Sequence, residues 1–238
     1  MIQLHALRAG YERGSDILHN LEFSLDKGRI AIIEGAAGSG KSTLVRVLTS
    51  QLRPSAGTAV VSSYELSSMS RLLHSGLLAS IGFVSSEFPL LEDRTVAENI
   101  RMAIDLQIKH MRFNGERRTE AVLDRYGLSP VCEQYPRRLS HGMYQRVAMA
   151  RAVVREPLLL IADEPTALLD DEGTTRIIDD LSNEHRRGMT ILITTTRAER
   201  YLSMTDSIDR WKLEGGTLKP IELESPDAVP RATLDGVV

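Results

Sequence analysis

The chain has 238 residues, and 29 lysines and arginines against 32 aspartates and glutamates give it a formal charge of −3. That length suits one α/β domain, or one domain with a small insert, and the charge argues against bulk electrostatic binding to nucleic acid. The single cysteine, Cys132, excludes an internal disulfide framework and a cysteine-rich zinc site. Since no apolar run has the length of a membrane span or the character of a signal peptide, a cytoplasmic protein is expected.

The first 52 residues predict three strands, a glycine-rich loop and a helix. Residues 3–8 and 21–25 alternate between apolar and polar side chains, which predicts two strands separated by glycine breaks. The apolar run at 30–34 predicts a strand that is buried on both faces. After the loop, the apolar spacing of residues 42–52 predicts a helix.

The character of the chain changes between residues 96 and 139, where charge density rises and aromatic and β-branched residues become rarer. Residues 96–111 predict one helix, and residues 115–127 predict another that ends at Gly127. This stretch is interpreted as a helical insert within an α/β scaffold. Further along, the patterns predict helices at 142–155 and 172–187, strands at 158–163 and 189–195, and a hairpin that turns at Gly215 and Gly216.

The strongest chemical signal is an eight-residue match to the pattern G-x-x-x-x-G-K-[ST]. It consists of Gly35, Ala36, Ala37, Gly38, Ser39, Gly40, Lys41 and Ser42. Glycines let successive backbone N–H groups point at phosphate oxygens, and the following helix directs its positive dipole end at the same charge. We expect Lys41 to reach the β- and γ-phosphates of ATP and the Ser42 hydroxyl to ligate Mg²⁺. The alternative is a flexible glycine loop with a surface lysine.

A second signal is the strand at 158–163, which ends in two carboxylates, Asp163 and Glu164. Ligands bind at the carboxyl ends of strands in open α/β sheets. We expect Asp163 to hold Mg²⁺ through water and Glu164 to polarise the attacking water as general base. The alternative is a solvated carboxylate pair at a strand end.

A third signal lies between the first two, at residues 139–146. It resembles the LSGGQ-type signature of ABC ATPases, and the order of glycine loop, helical insert, signature, helix and Asp-Glu strand is similar to that family. The Ser140 hydroxyl and the amides around Gly142 make an anion site at a helix start. The alternative for Ser140 is an ordinary helix cap. The resemblance implies that Ser140, His141 and Gly142 cap the γ-phosphate bound to a second subunit.

The resemblance covers about residues 1–220 and implies further roles. Tyr11 matches the aromatic residue that stacks on adenine, its alternative being an exposed tyrosine on a strand, and Thr43 completes the ATP-binding loop. Asp170 matches the loop that touches the other subunit. An ATP-sandwiched homodimer docked on an integral membrane subunit is therefore implied, peripheral on the inner face of the cytoplasmic membrane.

Within the family, the Asp-Arg-Thr-Val run at 93–96 and the stretch 150–166 look most like the FtsE type, the cell-division ATPase that partners FtsX. Lipoprotein-releasing and macrolide-efflux ATPases are close relatives in the same group. The partner implied is thus FtsX-like or an ABC permease.

The resemblance implies that such partners dock in a groove between the core and the insert. The candidate apolar residues of this groove are Phe88, Leu90 and Leu91, with core packing as the alternative for each.

Three departures from the family pattern bear on activity. Ser86 stands where the pattern has the glutamine of the Q-loop, Thr196 stands where it has the switch histidine, and His141 replaces a glycine. Threonine cannot share a proton near neutral pH. Slow hydrolysis is therefore expected, because Glu164 remains. The alternatives are an ATP-gated clamp with little or no hydrolysis and, less well supported, a soluble non-transport ABC protein.

The fold expected from these signals is α/β: a P-loop NTPase core with a mainly parallel sheet flanked by helices, an antiparallel β portion at the amino terminus, and a helical insert. The core is assigned to residues 1–86 and 140–220. The insert is assigned to 87–139, running into about 155, and residues 221–238 are assigned to a mobile tail.

Overall fold

A computed structural model describes residues 1–12, 14–69, 71–85, 87–105, 115–205 and 207–221. Ten strands lie in these ranges: β1 (Ile2–Ala9), β2 (Leu18–Leu25), β3 (Ile30–Glu34), β4 (Ala56–Val61), β5 (Tyr64–Glu65), β6 (Ile81–Val84), β7 (Leu159–Asp163), β8 (Thr190–Thr195), β9 (Ile208–Glu214) and β10 (Thr217–Pro220). Six α-helices lie in the same ranges: α1 (Lys41–Leu48), α2 (Arg71–Ser80), α3 (Val96–Asp105), α4 (Gly115–Arg125), α5 (His141–Val153) and α6 (Asp171–Arg186).

The described strands form two sheets. An antiparallel sheet has the order β2-β1-β4-β5, and a six-stranded sheet has the order β10-β9-β3-β8-β7-β6. In the second sheet β3 pairs in parallel with both β8 and β9, and β7 pairs in parallel with β6 and β8. The expected α/β architecture, with an antiparallel amino-terminal portion and a mainly parallel sheet, is confirmed.

The central strand β3 separates two hydrophobic cores. Ile30 and Ile32 pack on one side, with residues of helices α3 to α6. Ala31 and Ile33 pack on the other, with α1 and the antiparallel sheet. This alternation is the period of two that a strand imposes on its side chains. Burying each large aliphatic side chain contributes roughly 1.5–3 kcal/mol, so the continuous apolar run is explained by burial on both faces.

The observed elements differ from the sequence predictions in three places. The helix predicted over 42–52 ends at Leu48, because Ser50 adopts a left-handed conformation with φ of 58° and turns the chain. Strands β4, β5 and β6 and helix α2 were missed, since glycine and serine interrupt their apolar periodicity. The helix predicted over 96–111 is observed as α3, and residues 106–114 lie outside the described residues, as do residues 222–238 of the assigned tail.

The loop before α3 is anchored by a fully buried side chain, Asn99. Its Oδ1 accepts a hydrogen bond of 2.8 Å from the Leu91 N–H. Its Nδ2 donates to the carbonyl oxygens of Leu91, Arg94 and Thr95 at 3.0–3.1 Å. One amide thus satisfies backbone groups of a whole turn, because a donor and an acceptor lie on the same side chain.

Replacing Asn99 by alanine should lower the free energy of unfolding by about 2–3 kcal/mol, because it leaves buried backbone groups without partners. Urea denaturation followed by circular dichroism measures the loss. Glu120→Ala, at an exposed position of α4, is the control and should leave the midpoint almost unchanged. Equal midpoints for the two variants would contradict an anchoring role for Asn99.

Candidate functional site

The glycine-rich loop connects β3 to α1 and turns sharply. Gly38 and Gly40 have φ of 79° and 106°, a conformation that favours glycine. A Cβ on Gly35 would lie 2.5 Å from the carbonyl oxygen of Leu213, so the loop passes too close to β9 for a side chain. No side chain of the described residues caps the start of α1. Its first N–H groups are therefore oriented toward the space above the loop.

Lys41 is almost completely buried within this loop, with only 7% of its surface exposed. Its Nζ donates to the carbonyl oxygens of Gly35 and Ala36 at 2.7 and 3.1 Å and lies 3.7 Å from Glu164 Oε1. The Ser39 hydroxyl is buried without a hydrogen-bond partner among the described residues. A buried ammonium, an unpaired hydroxyl and an uncapped helix start fit the phosphate chain of a nucleotide.

Asp163 ends β7 beside the glycine loop. Its Oδ1 accepts a hydrogen bond of 2.5 Å from the Thr194 hydroxyl of β8. Burial raises the pKa of Asp163; Thr194 and Lys41 lower it, whereas the negative charges of Glu164 and Glu87 raise it further. A desolvated carboxylate next to the loop that presents Ser42 fits a divalent cation, because carboxylate and hydroxyl oxygens are suitable ligands for such an ion.

Glu164 follows directly in an uncommon backbone conformation, with φ of 48°. Its N–H donates to the Thr194 carbonyl at 2.9 Å, and its own carbonyl accepts from the Ala167 N–H at 3.2 Å. Its Oε2 accepts a hydrogen bond of 3.3 Å from the Thr195 hydroxyl. Such left-handed geometry at a non-glycine residue persists only where its surroundings hold it, which is common at functional sites.

Thr195 was missed by the sequence reasoning, which considered only the next residue. Thr196 is the first residue beyond β8 and is exposed. Thr195 is buried and contacts the carboxylate of Glu164. The available signal was three consecutive threonines at the end of an apolar strand. Ser86, the other replaced position, lies outside the described residues.

Tyr11 lies beside the start of α1, with 52% of its surface exposed. Its hydroxyl is 3.5 Å from Thr43 Oγ1 and accepts a hydrogen bond of 2.7 Å from Arg46. The Arg46 guanidinium also stacks over the tyrosine ring and forms an ion pair with Glu87 at 2.5 Å. The structure therefore brings Tyr11 to the start of α1, where it contacts Arg46, and Arg46 is in turn paired with Glu87; the sequence singled out neither charged residue.

The signature residues line a second cavity, whose lining includes no residue of the glycine loop. Ser140 caps α5, its hydroxyl accepting from the Met143 N–H at 3.2 Å, and His141 and Gly142 begin that helix. Asp170 caps α6 in the same way, accepting from the Gly173 N–H at 2.8 Å. All four lie around one open cavity of about 420 Å³. The structure thus brings the signature together with the loop that carries Asp170.

A larger groove of about 670 Å³ is lined by residues of the segments 85–92, 136–148 and 164–169. Phe88, Tyr144, Leu168 and Leu169 line its apolar part, and His141 and Glu164 also line it. Of the three candidate groove residues, Phe88 lines it with 43% of its surface exposed. Leu91 is exposed but does not line it, and Leu90 is buried in the core, which is the alternative left open for it.

Taken together, this fold and site define an ATP-binding domain of the ABC transporter type. The chain belongs to that family, since residues 18–167 match the family described as ABC transporter. Members of the family bind ATP. None of the described helices combines the length and apolar character needed to cross a membrane.

The chain is similar to ATP-binding proteins of two kinds, one named for cell division and the other for methionine import. The cell division ATP-binding protein FtsE of Streptococcus pneumoniae is 35% identical over 199 residues, covering 84% of this chain and 86% of FtsE. The methionine import ATP-binding protein MetN 1 of Burkholderia pseudomallei is 32% identical over 247 residues, covering 100% of this chain and 71% of MetN. A solved dimeric bacterial ABC transporter cassette superposes with a TM-score of 0.81 at 25% identity, covering 94% of this chain and 100% of the cassette.

Replacing Asp163 by asparagine should raise the free energy of unfolding of the nucleotide-free protein at neutral pH by about 0.5–2 kcal/mol. Gains of this size are common when a charge at a candidate functional site is removed. Because burial raises the pKa of this carboxyl in the folded state, its ionisation opposes folding above that pKa. The asparagine can still accept the Thr194 hydrogen bond.

Thermal melting as a function of pH measures this effect. The advantage of Asp163→Asn should disappear as the pH falls below the ordinary range of an unfolded aspartate, where both side chains are neutral. Asp93→Asn, at an exposed position, is the control. A melting temperature of Asp163→Asn at or below that of the parent at neutral pH would refute the argument.

Proposed function

We propose that the chain is an ATP-hydrolysing subunit that dimerises around two ATP molecules and drives an integral membrane partner, either FtsX-like or an ABC permease. The observation that carries the proposal is the meeting of Lys41 and Glu164, whose charged atoms are 3.7 Å apart beside Asp163. The family of the chain supports it, because ABC transporter ATP-binding domains hydrolyse ATP.

In this proposal Lys41 exchanges the carbonyl oxygens of Gly35 and Ala36 for phosphate oxygens, which releases Glu164 from its ammonium. Glu164 then orients a water molecule in line with the γ-phosphate, as a general base must. Ser42 and Asp163 would hold Mg²⁺, which neutralises charge on the β- and γ-phosphates when bound. The exposed ring of Tyr11 stacks on the adenine after the Arg46 guanidinium has moved away from the ring.

The second surface supplies the reason for a dimer. Ser140, His141, Gly142 and Asp170 lie together around an open cavity, apart from the glycine loop. In a twofold dimer each chain would offer this surface to the nucleotide of the other, because such an interface uses the same patch twice. The dimeric relative with a TM-score of 0.81 supports this arrangement.

The membrane partner is proposed on two grounds. FtsE and MetN are by name a cell-division and a methionine-import ATP-binding protein. The groove beside Phe88 offers an apolar surface whose lining also includes Glu164, so a partner segment bound there would lie in the same groove as the proposed general base. The FtsE-like assignment rests on the Asp-Arg-Thr-Val run and on 35% identity over most of both chains.

A second candidate function is an ATP-gated clamp with little hydrolysis. The exposed threonine at position 196 favours it, because a hydroxyl there cannot exchange a proton with the γ-phosphate near neutral pH. Loss of a hydrogen bond made only in the transition state costs roughly 10²–10³ in rate. Turnover distinguishes the two candidates.

Replacing Glu164 by glutamine should reduce Mg-ATP hydrolysis by about 10²–10⁴-fold and leave ATP binding intact, because the amide cannot accept a proton. Phosphate release by the purified chain measures turnover, and fluorescent-nucleotide titration measures binding. Glu199→Gln, an exposed glutamate after β8, is the control. Equal turnover for the parent and Glu164→Gln would contradict hydrolysis by Glu164 and favour the clamp.

The Glu164→Gln variant also tests the dimer, since it should accumulate with ATP at twice the monomer mass in light scattering. For the partner, turnover would be measured in liposomes that contain either an FtsX-type protein or a methionine permease subunit. Stimulation by one of them identifies the class of partner. Turnover that neither changes, with no binding to either, would contradict membrane coupling and favour a soluble role.

A further inference from the structure

A threonine ends the apolar run of β8 at the point where the strand reaches the site. Thr194 follows Ile191, Leu192 and Ile193 in that strand and, like them, is completely buried. The parallel register places it beside Asp163, the last residue of β7. Burying a hydroxyl costs free energy unless it forms a hydrogen bond, so the partner of this hydroxyl indicates why a polar residue stands here.

Thr194 contacts both members of the acidic pair. Its hydroxyl donates a hydrogen bond of 2.5 Å to Asp163 Oδ1, and its carbonyl oxygen accepts one of 2.9 Å from the Glu164 N–H. Thr194 therefore holds the side chain of the first acid and the backbone of the second. The next residue, Thr195, contacts the side chain of Glu164, so the two threonines bind different carboxylates.

The hydroxyl bond fixes the orientation of the Asp163 carboxylate. An ionised carboxylate accepts hydrogen bonds and donates none, so the proton belongs to the threonine. Branching at Cβ restricts the rotamers of Thr194, which keeps its hydroxyl in one place. The terminal torsion of an aspartate is broad by comparison, and the carboxylate would otherwise turn more freely. The threonine thus determines which carboxylate oxygen lies on the side of β8.

This contact leaves one carboxylate oxygen for a ligand. Thr194 occupies Oδ1, and within the part of the chain that the structure describes no hydrogen bond reaches Oδ2. Carboxylates that ligate metal ions are themselves held by hydrogen bonds from neighbouring groups, and these partners orient the ligand. The arrangement of Thr194 and Asp163 is of this kind.

We propose that Thr194 is a positioning residue for the divalent cation, holding Asp163 by Oδ1 so that Oδ2 remains for the metal ion or for a water molecule bound to it. This role rests on the proposed function, in which Asp163 helps to hold Mg²⁺, and deepens it. The sequence pattern does not distinguish Thr194 from Thr195 and Thr196, which follow it. The register with β7 does, because it aligns only Thr194 with Asp163.

The test measures how much the metal ion contributes to nucleotide binding. A fluorescent ATP analogue is titrated in excess Mg²⁺ and in excess EDTA, and the dissociation constant in EDTA is divided by that in Mg²⁺. Thr194→Val keeps the branched shape and removes the hydroxyl. It should lower this ratio about 10-fold, or to one if the parent ratio is smaller, because losing such a partner typically weakens metal binding by roughly 10–100-fold. Unchanged affinity in EDTA shows that the variant is folded.

Thr190→Val is the matched control. Thr190 lies on the same strand and is equally buried, but its hydroxyl accepts a hydrogen bond of 2.9 Å from the Gly28 N–H, at the other end of β8. This variant should keep the parent ratio. Thr194→Ser retains the hydroxyl and should restore most of the ratio. Equal ratios for Thr194→Val and the parent, for Thr194→Val and Thr190→Val, or for Thr194→Val and Thr194→Ser would each overturn the positioning role.

Asp163→Asn distinguishes the failure of this proposal from the failure of the proposed function. It should lower the ratio at least as far as Thr194→Val does, since it changes the ligand itself. If Asp163→Asn keeps the parent ratio, the metal role of Asp163 in the proposed function fails, and the role of Thr194 fails with it. If Asp163→Asn lowers the ratio and Thr194→Val does not, the metal role of Asp163 is supported and only the role of Thr194 is overturned.

Discussion

The parallel pairing of β3, β8 and β7 is the constraint on which the site depends. Parallel strands end at the same edge of a sheet, so chain segments far apart in sequence are delivered to one place. The register aligns Glu34 with Thr195 and Asp163 with Thr194. The glycine loop, the acidic pair and the threonines therefore meet as a result of backbone pairing alone.

The same edge concentrates charge in a partly buried space. The negative charges of Glu164 and Glu87 act on Asp163 there, and the Lys41 ammonium lies 3.7 Å from the Glu164 carboxylate. Without a nucleotide, the lysine is satisfied by loop carbonyls and the carboxylates by hydroxyl donors. Binding of a polyanion would give the lysine a negative counter-charge, and binding of a metal ion would give the carboxylates a positive one. Both would replace weaker interactions with neutral groups.

Much of this could be predicted from the sequence because its signals are local. The apolar run before the glycine loop and the run that ends at Asp163 identify buried strands by composition, and the glycine spacing identifies the loop. The contacts of Thr195, Tyr201 and Arg46 could not be predicted, since each joins residues 31 or more positions apart. The early end of α1 could not be predicted either, because it depends on the left-handed backbone conformation of one residue, Ser50.

Motif comparison at single positions thus gives an incomplete account of catalytic strength. In the proposed mechanism, a threonine in place of a histidine at position 196 would remove one means of holding the γ-phosphate and the water. Yet the orientation of a general base depends on every group that contacts its carboxylate, and on the groups behind those. In this chain the buried Thr195 hydroxyl donates to the Glu164 carboxylate at 3.3 Å. Position 195 therefore has to be considered together with position 196, because its hydroxyl contacts the Glu164 carboxylate directly.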